Sequence, residues 1–253
     1  MPADPSYTQP ASQLGHIHPI SSLIREANRI FLNMGFTFAE GPLLESEKYN
    51  FDSLNFPPDH PARDMQDTFF MKNEDRMVLR THTSNVQVRY MEEQIKKGVQ
   101  PPYAMVAMGK VFRNEATDIT HEAEFYQVEG MVIGENITMA HLRGTLTDFF
   151  GQLMGGQAQV RFRPSFFPFV ELGLEVDMRV MGDSVPEKLR GKWVEIMGAG
   201  MVHPNVLKAA GVDPARYQGF AFGGGIDRLA ILRWGIDDIR LMHSADLRFI
   251  NQF

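Results

Sequence analysis

Two stretches of alternating residues, Gly109-Lys110-Val111-Phe112-Arg113-Asn114-Glu115 and Phe125-Tyr126-Gln127-Val128-Glu129, are separated by a polar run. Alternation with period two marks a half-buried strand, so the pair reads as an antiparallel hairpin with a long connection. Further strand patterns lie over 157–163, 171–181 and 192–200, the last with Val194, Ile196 and Met197 as apolar positions. Strands joined by hairpin loops, with few helices between them, favour an antiparallel sheet over a doubly wound parallel one. The expected class is α+β, an antiparallel β-sheet flanked by helices.

Helical spacing is clearest in Ile20, Leu23, Ile24, Ala27, Ile30, Phe31 and Met34, with Pro19 suited to a first turn and Gly35 just past the end. Helices are also expected over 83–97, where Met91 and Ile95 stand four apart, and over 141–151, stopped by Gly155-Gly156. Three prolines in 55–64 argue for an irregular but ordered loop. Residues 1–15, rich in Pro, Ser, Gln and Ala without periodicity, read as a flexible arm, leaving one domain over 16–253.

With 43% hydrophobic and 22% charged residues the chain has the composition of an ordinary globular protein. It contains no cysteine, which excludes disulfides, thiolate zinc sites and cysteine nucleophiles, so a metal would need carboxylate, histidine or substrate oxygen. A net charge of −6 argues against broad non-specific nucleic-acid binding. No apolar run approaches the roughly 20 residues that span a bilayer, and the start lacks a signal-peptide pattern, so no membrane association and a cytoplasmic address are expected.

Two arginines stand beside residue types that a bound nucleotide needs. Arg113 ends the first alternating stretch, and Arg228 follows Gly219-Phe220-Ala221-Phe222-Gly223-Gly224-Gly225-Ile226-Asp227, which reads as strand, glycine turn and helix. A guanidinium offers a planar fork of donors to phosphate and stays charged at any working pH. A glycine run before a helix lets backbone approach a ligand and directs amides toward negative charge. Taken singly, Arg-x-Glu is also a common surface ion pair and a glycine cluster a common tight turn.

The motifs together resemble the catalytic alpha subunit of bacterial phenylalanyl-tRNA synthetase, a class II aminoacyl-tRNA synthetase. Three class signatures occur in order: Gly35-Phe36-Thr37-Phe38-Ala39-Glu40-Gly41-Pro42, Phe112-Arg113-Asn114-Glu115 with its hairpin, and the Gly223 to Leu229 segment. The subfamily is marked by Phe51-Asp52-Ser53-Leu54-Asn55, His60-Pro61-Ala62-Arg63-Asp64, Arg80-Thr81-His82-Thr83-Ser84, Phe166-Phe167-Pro168-Phe169 and Gly219-Phe220-Ala221-Phe222-Gly223. The likeness covers residues from about His16 to Phe253 and lacks the family's N-terminal coiled coil.

That resemblance implies activation of phenylalanine by ATP and its transfer to tRNA-Phe. It makes Arg113 the α-phosphate ligand, Arg228 a residue on the adenine and γ-phosphate, Glu115 an acceptor from the adenine amino group and Phe125 a stacking face. His121 would lie near the phosphates, and Glu171 would ligate Mg2+. His82, Ser84, Gln127 and Glu129 would serve the ammonium end of phenylalanine; Gln127 and Glu129 share a strand face by period two. Phe167 and Phe169, which alternate across Pro168 as on a strand, would form the slot for the ring with Val170, Ala221 and Gly223. The family pairs this subunit with a larger beta subunit in an α2β2 heterotetramer. A truncated or paralogous binding module without charging activity is the alternative.

Overall fold

The computed structural model describes residues 15–64, 67–72, 76–116, 118, 122–181 and 189–253. In chain order, α1 (Pro19–Asn33) leads to β1 (Thr37–Phe38), β2 (Leu44–Ser46), the short α2 (Glu47–Asn50), β3 (Met77–Leu79) and α3 (Ser84–Lys96). The hairpin of β4 (Tyr103–Phe112) and β5 (Glu124–Gly134) is followed by α4 (Met139–Leu153), then the meander β6 (Ala158–Phe167), β7 (Val170–Val180) and β8 (Val194–Val202). Next come α5 (Pro204–Ala209), β9 (Gln218–Gly225), α6 (Ile226–Trp234), a 3-10 turn (Ile239–His243) and α7 (Leu247–Ile250).

The main sheet has seven strands in the order β1-β4-β5-β9-β8-β7-β6. All neighbours are antiparallel except β1 and β4, so the expected class holds. The expected arm over 1–15 lies outside the described residues except for Gly15.

Local signals explain the elements. His18 caps α1 by accepting the Ile20 N–H at 3.2 Å, Pro19 opens the first turn, and Gly35 takes φ +86° just after the helix. The apolar stripe of α1 then buries Leu23, Ala27, Ile30 and Phe31.

Alternation along β5 divides the molecule into two cores. Val128 packs in the layer of α1, α4 and α6, where the Phe31 and Phe149 rings stack at 4.3 Å. Met131 and Ile133 face the opposite side, with Val88 and Met91 of α3 and Val206 of α5. Burying each such side chain contributes roughly 1.5–3 kcal/mol, which holds helices against both faces. Because side chains alternate, Phe125, Gln127 and Glu129 share the face of Met131.

Two local readings change. Gly223, Gly224 and Gly225 are not a turn but the end of β9, paired with Glu129, Val128 and Gln127 of β5. At Gly223 and Gly224 the need is steric, since a Cβ would run into Glu129 Cγ and the Ile196 carbonyl respectively, whereas Gly225 has open space. Phe167 and Phe169 do not alternate along one strand; Phe167 pairs with Val170 across a tight turn, which stacks the two rings 5.8 Å apart at 20°.

Candidate active site

Gln127 and Glu129 of β5, Phe167 of β6, Val170 of β7, Ala221 of β9 and Ser84 of α3 meet on the α3 side of the sheet. At their centre is Glu129, 4% exposed. Its Oε1 accepts the Thr83 N–H at 3.1 Å, and its Oε2 accepts Ser84 Oγ at 2.5 Å and Gln87 Nε2 at 3.1 Å. Burial raises its pKa to about 7, opposed by these same hydrogen bonds, chiefly that from Ser84. The Thr83 hydroxyl also favours the ionised form but has no partner within hydrogen-bond geometry, so of the about four acceptor positions of a carboxylate three are filled and one is open.

Gln127 stands two residues earlier on the same face, and its Oε1 is buried with no hydrogen-bond partner. Neither ring nitrogen of His82 has a partner either, and both are shut away from solvent. Burial, then the Arg113 charge, lowers the His82 pKa to about 3 against an upward pull from the Asn50 backbone, which stands near the ring without meeting hydrogen-bond geometry, so the ring is neutral. It lies parallel to Phe56 at 6.0 Å. Unsatisfied polar atoms of this kind, the Gln127 oxygen and the donor and acceptor of a neutral His82 ring, cost free energy beside a buried acid unless a ligand satisfies them.

An apolar wall adjoins this polar end. Val170 and Ala221 are buried in the α3-side core, with Phe56, Phe167 and Phe169 packed against it. Phe169 also meets Phe56 at 5.8 Å. Gly198 on β8 permits this arrangement, since a Cβ there would come within 3.0 Å of the Phe167 ring.

Toward the open end of the hairpin, the Arg113 guanidinium lies over the Phe125 ring at 5.0 Å and reaches the Thr81 carbonyl at 3.4 Å. Burial pulls its pKa below the usual arginine value; Glu115, Glu129 and Asp67 oppose that shift, and the Arg228 charge adds to it. Both arginines therefore act in one electrostatic field. Arg228, exposed on α6, rests with Nη1 on the Glu195 carbonyl at 3.0 Å. Glu115 is exposed in the segment after β4.

Glu171, on β7 beside Val170, is exposed and lies 3.5 Å from His203 Nε2. A solvated carboxylate of this kind suits magnesium, which takes one or two carboxylates and completes its shell with water and phosphate. No cluster of three metal-binding side chains occurs among the described residues. His121 lies outside the described residues.

Several members of this constellation were not singled out from sequence. Thr83 contributes its backbone N–H, which no side-chain pattern advertises. Gln87 carried a signal, since it stands three residues after Ser84 on one helix face. Arg80 fills the space above Gly109, donating to the carbonyls of Lys110 at 2.7 Å and Gly41 at 3.1 Å, and so ties the segment after β1 to β4.

Comparison with known proteins gives one answer. The family model described as tRNA synthetases class II core domain (F) matches residues 2–253. The phenylalanine-tRNA ligase alpha subunit of Caldanaerobacter subterraneus is 48% identical over 249 residues, 94% of this chain and 69% of that protein. Proteins of the same name from Chlorobium phaeovibrioides and Persephonella marina are 49% and 50% identical, each across 94% of this chain and 70% and 68% of their own.

Proposed function

The chain belongs to the class II tRNA synthetases, among the phenylalanine-tRNA ligase alpha subunits, and from that membership we propose how its site divides the work. Its activity is the charging of tRNA with phenylalanine; the alternative of a module without charging activity is not favoured.

In the activation step one carboxylate oxygen of phenylalanine attacks the α-phosphorus of ATP. The bond to the bridging oxygen breaks, pyrophosphate leaves with that electron pair, and phenylalanyl-adenylate remains. No side-chain nucleophile is needed, so the protein contributes positioning and charge neutralisation. A hydroxyl of the terminal adenosine of tRNA-Phe then attacks the adenylate carbonyl and releases AMP; we assign the 2′-hydroxyl from the family pattern.

The observation that carries the reading is the buried Glu129 carboxylate with spare acceptor capacity next to the unpartnered Gln127 Oε1. Together they would take the α-ammonium, with His82 nearby and Ser84 holding the carboxylate in place. The ring would enter the wall of Phe167, Phe169, Val170 and Ala221, where a tyrosine hydroxyl finds no partner; exclusion on that basis reaches about a hundredfold. Arg113 would hold the α-phosphate and Phe125 one face of adenine. Arg228 would leave its resting contact on Glu195 to cover the other face and reach the γ-phosphate, while Glu115 accepts from the adenine amino group.

Magnesium held by Glu171, water and phosphate oxygens would neutralise charge on the departing pyrophosphate. A larger beta subunit in an α2β2 assembly and a cytoplasmic location complete the proposal. Phenylalanine-dependent pyrophosphate exchange tests it: Arg113→Ala should abolish exchange while the fold, followed by circular dichroism, persists. Exchange retained in that variant would remove Arg113 from its role.

A further inference from the structure

Asp227, next to Arg228, is 2% exposed and joins two parts of the nucleotide end. Its Oδ2 accepts the backbone N–H of Tyr126 at 2.8 Å, and its Oδ1 lies 2.9 Å from His243 Nε2. Tyr126 is flanked on β5 by Phe125 and Gln127. The β5–β9 ladder ends at the pair Gln127 and Gly225, so at Tyr126 the Asp227 side chain takes over the tie between β5 and the chain that continues into α6.

We propose that Asp227 and His243 are a positioning pair for ATP: charged His243 holds the carboxylate that fixes the Arg228 helix against the strand bearing Phe125, making nucleotide affinity dependent on pH. The inference rests on the ATP site described above. Neither side chain is required to touch the nucleotide.

The surroundings of His243 favour its charged form. Its contact with Asp227 raises its pKa most, with Glu122 and Glu124 adding smaller upward pulls and burial opposing. Glu124 is itself paired with Lys110. On the same 3-10 turn Arg240 interacts with Asp238, Glu122 and Asp118, and His18 Nε2 meets the Met242 carbonyl at 2.9 Å. Since the folded pKa is raised, the pair is intact at low pH and weakens as pH rises through that value. Neutral imidazole retains one N–H, so the loss is partial.

The test is calorimetric titration of ATP with magnesium into the full chain assembled with its partner subunit, across pH, for the wild type, His243→Asn and His243→Phe. Asparagine keeps a donor without a charge, and comparison with it removes the titration of ATP itself. The wild type should lose about fivefold in affinity relative to His243→Asn on passing the His243 pKa, the lower end of usual coupling between sites. His243→Phe should bind ATP weakly at every pH, with phenylalanine affinity unchanged.

Parallel profiles for the wild type and His243→Asn would overturn the proposal, whether or not His243→Phe folds. Equal weakening of ATP and phenylalanine in His243→Phe would also overturn it, by showing a general structural role. A folded wild-type assembly that binds no ATP would remove the nucleotide site and this inference with it, an outcome distinct from either of the others.

Discussion

At the scale of single residues, Glu129 and His82 pull the stability of the unliganded protein in opposite directions. His82 is held neutral, with a folded pKa of about 3 against an ordinary 6.5, so the unfolded state binds the extra proton and stability falls as pH drops between those values. Glu129, raised from 4.5 to about 7, binds the extra proton in the folded state, so stability falls as pH rises through that window. Glu129→Gln removes only the second effect. The stability gained by this variant over the wild type should grow with pH between 4.5 and about 7, by up to about 1.4 kcal/mol per pH unit, in urea unfolding at a series of pH values; a constant difference would contradict the burial argument. The same titration affects binding, because only ionised Glu129 attracts an ammonium: phenylalanine affinity should weaken as pH falls below about 7. At higher pH, Glu129→Gln should cost about 2 kcal/mol or more of it, roughly thirtyfold. Gln127 and Glu129 were legible from sequence because period two puts them on one face. The neutral state of His82 was not, since it depends on Phe56 and Arg113, which the fold brings from elsewhere.

At the scale of elements, the glycines and the aromatic hairpin teach the same lesson. The run at 223–225 was visible, but its purpose was not, because it depends on which residues stand opposite on β5 and β8. Gly223→Ala would push a Cβ into the Glu129 side chain, now 2.4 Å from that position. Overpacking of this kind typically costs about 1–3 kcal/mol, and the variant should lose phenylalanine affinity as well as stability. Normal phenylalanine binding in a folded Gly223→Ala protein would show that Glu129 has freedom to move. Two positions earlier on β9, Ala221 contributes a methyl group to the wall formed with Val170 and Phe169. Ala221→Gly should deepen the slot and raise turnover of para-chlorophenylalanine relative to phenylalanine; an unchanged ratio would place the ring elsewhere. The α1, α3 and α4 helices and the hairpin were readable because their signals are local. The tight turn at Phe167-Pro168-Phe169 was missed because alternating aromatics suit either a strand or a turn that stacks them.

At the scale of the whole molecule, one sheet face gathers the polar end on β5 and α3 and the aromatic wall on β6, β7 and β9, and Arg113 past β4 and Arg228 at the start of α6, the proposed nucleotide end, share one electrostatic field beside it. Each segment was recognisable as a motif in the sequence. Their mutual placement follows from the strand order, in which β9 enters between β5 and β8 although it comes last among the strands. No membrane-spanning helix occurs among the described residues. Assembly should matter more to the second step than to the first, because the chain's net charge of −6 gives it little general attraction for RNA. Transfer to tRNA-Phe should therefore require the beta subunit, as a comparison of aminoacylation with and without it would reveal. The central claim, that this face activates phenylalanine, is tested most directly by ATP–pyrophosphate exchange with magnesium in the assembled protein, using tyrosine as the competing substrate. Exchange that depends on phenylalanine and is about a hundredfold less efficient with tyrosine is the predicted result; a folded assembly that exchanges with neither, or equally with both, would contradict the account.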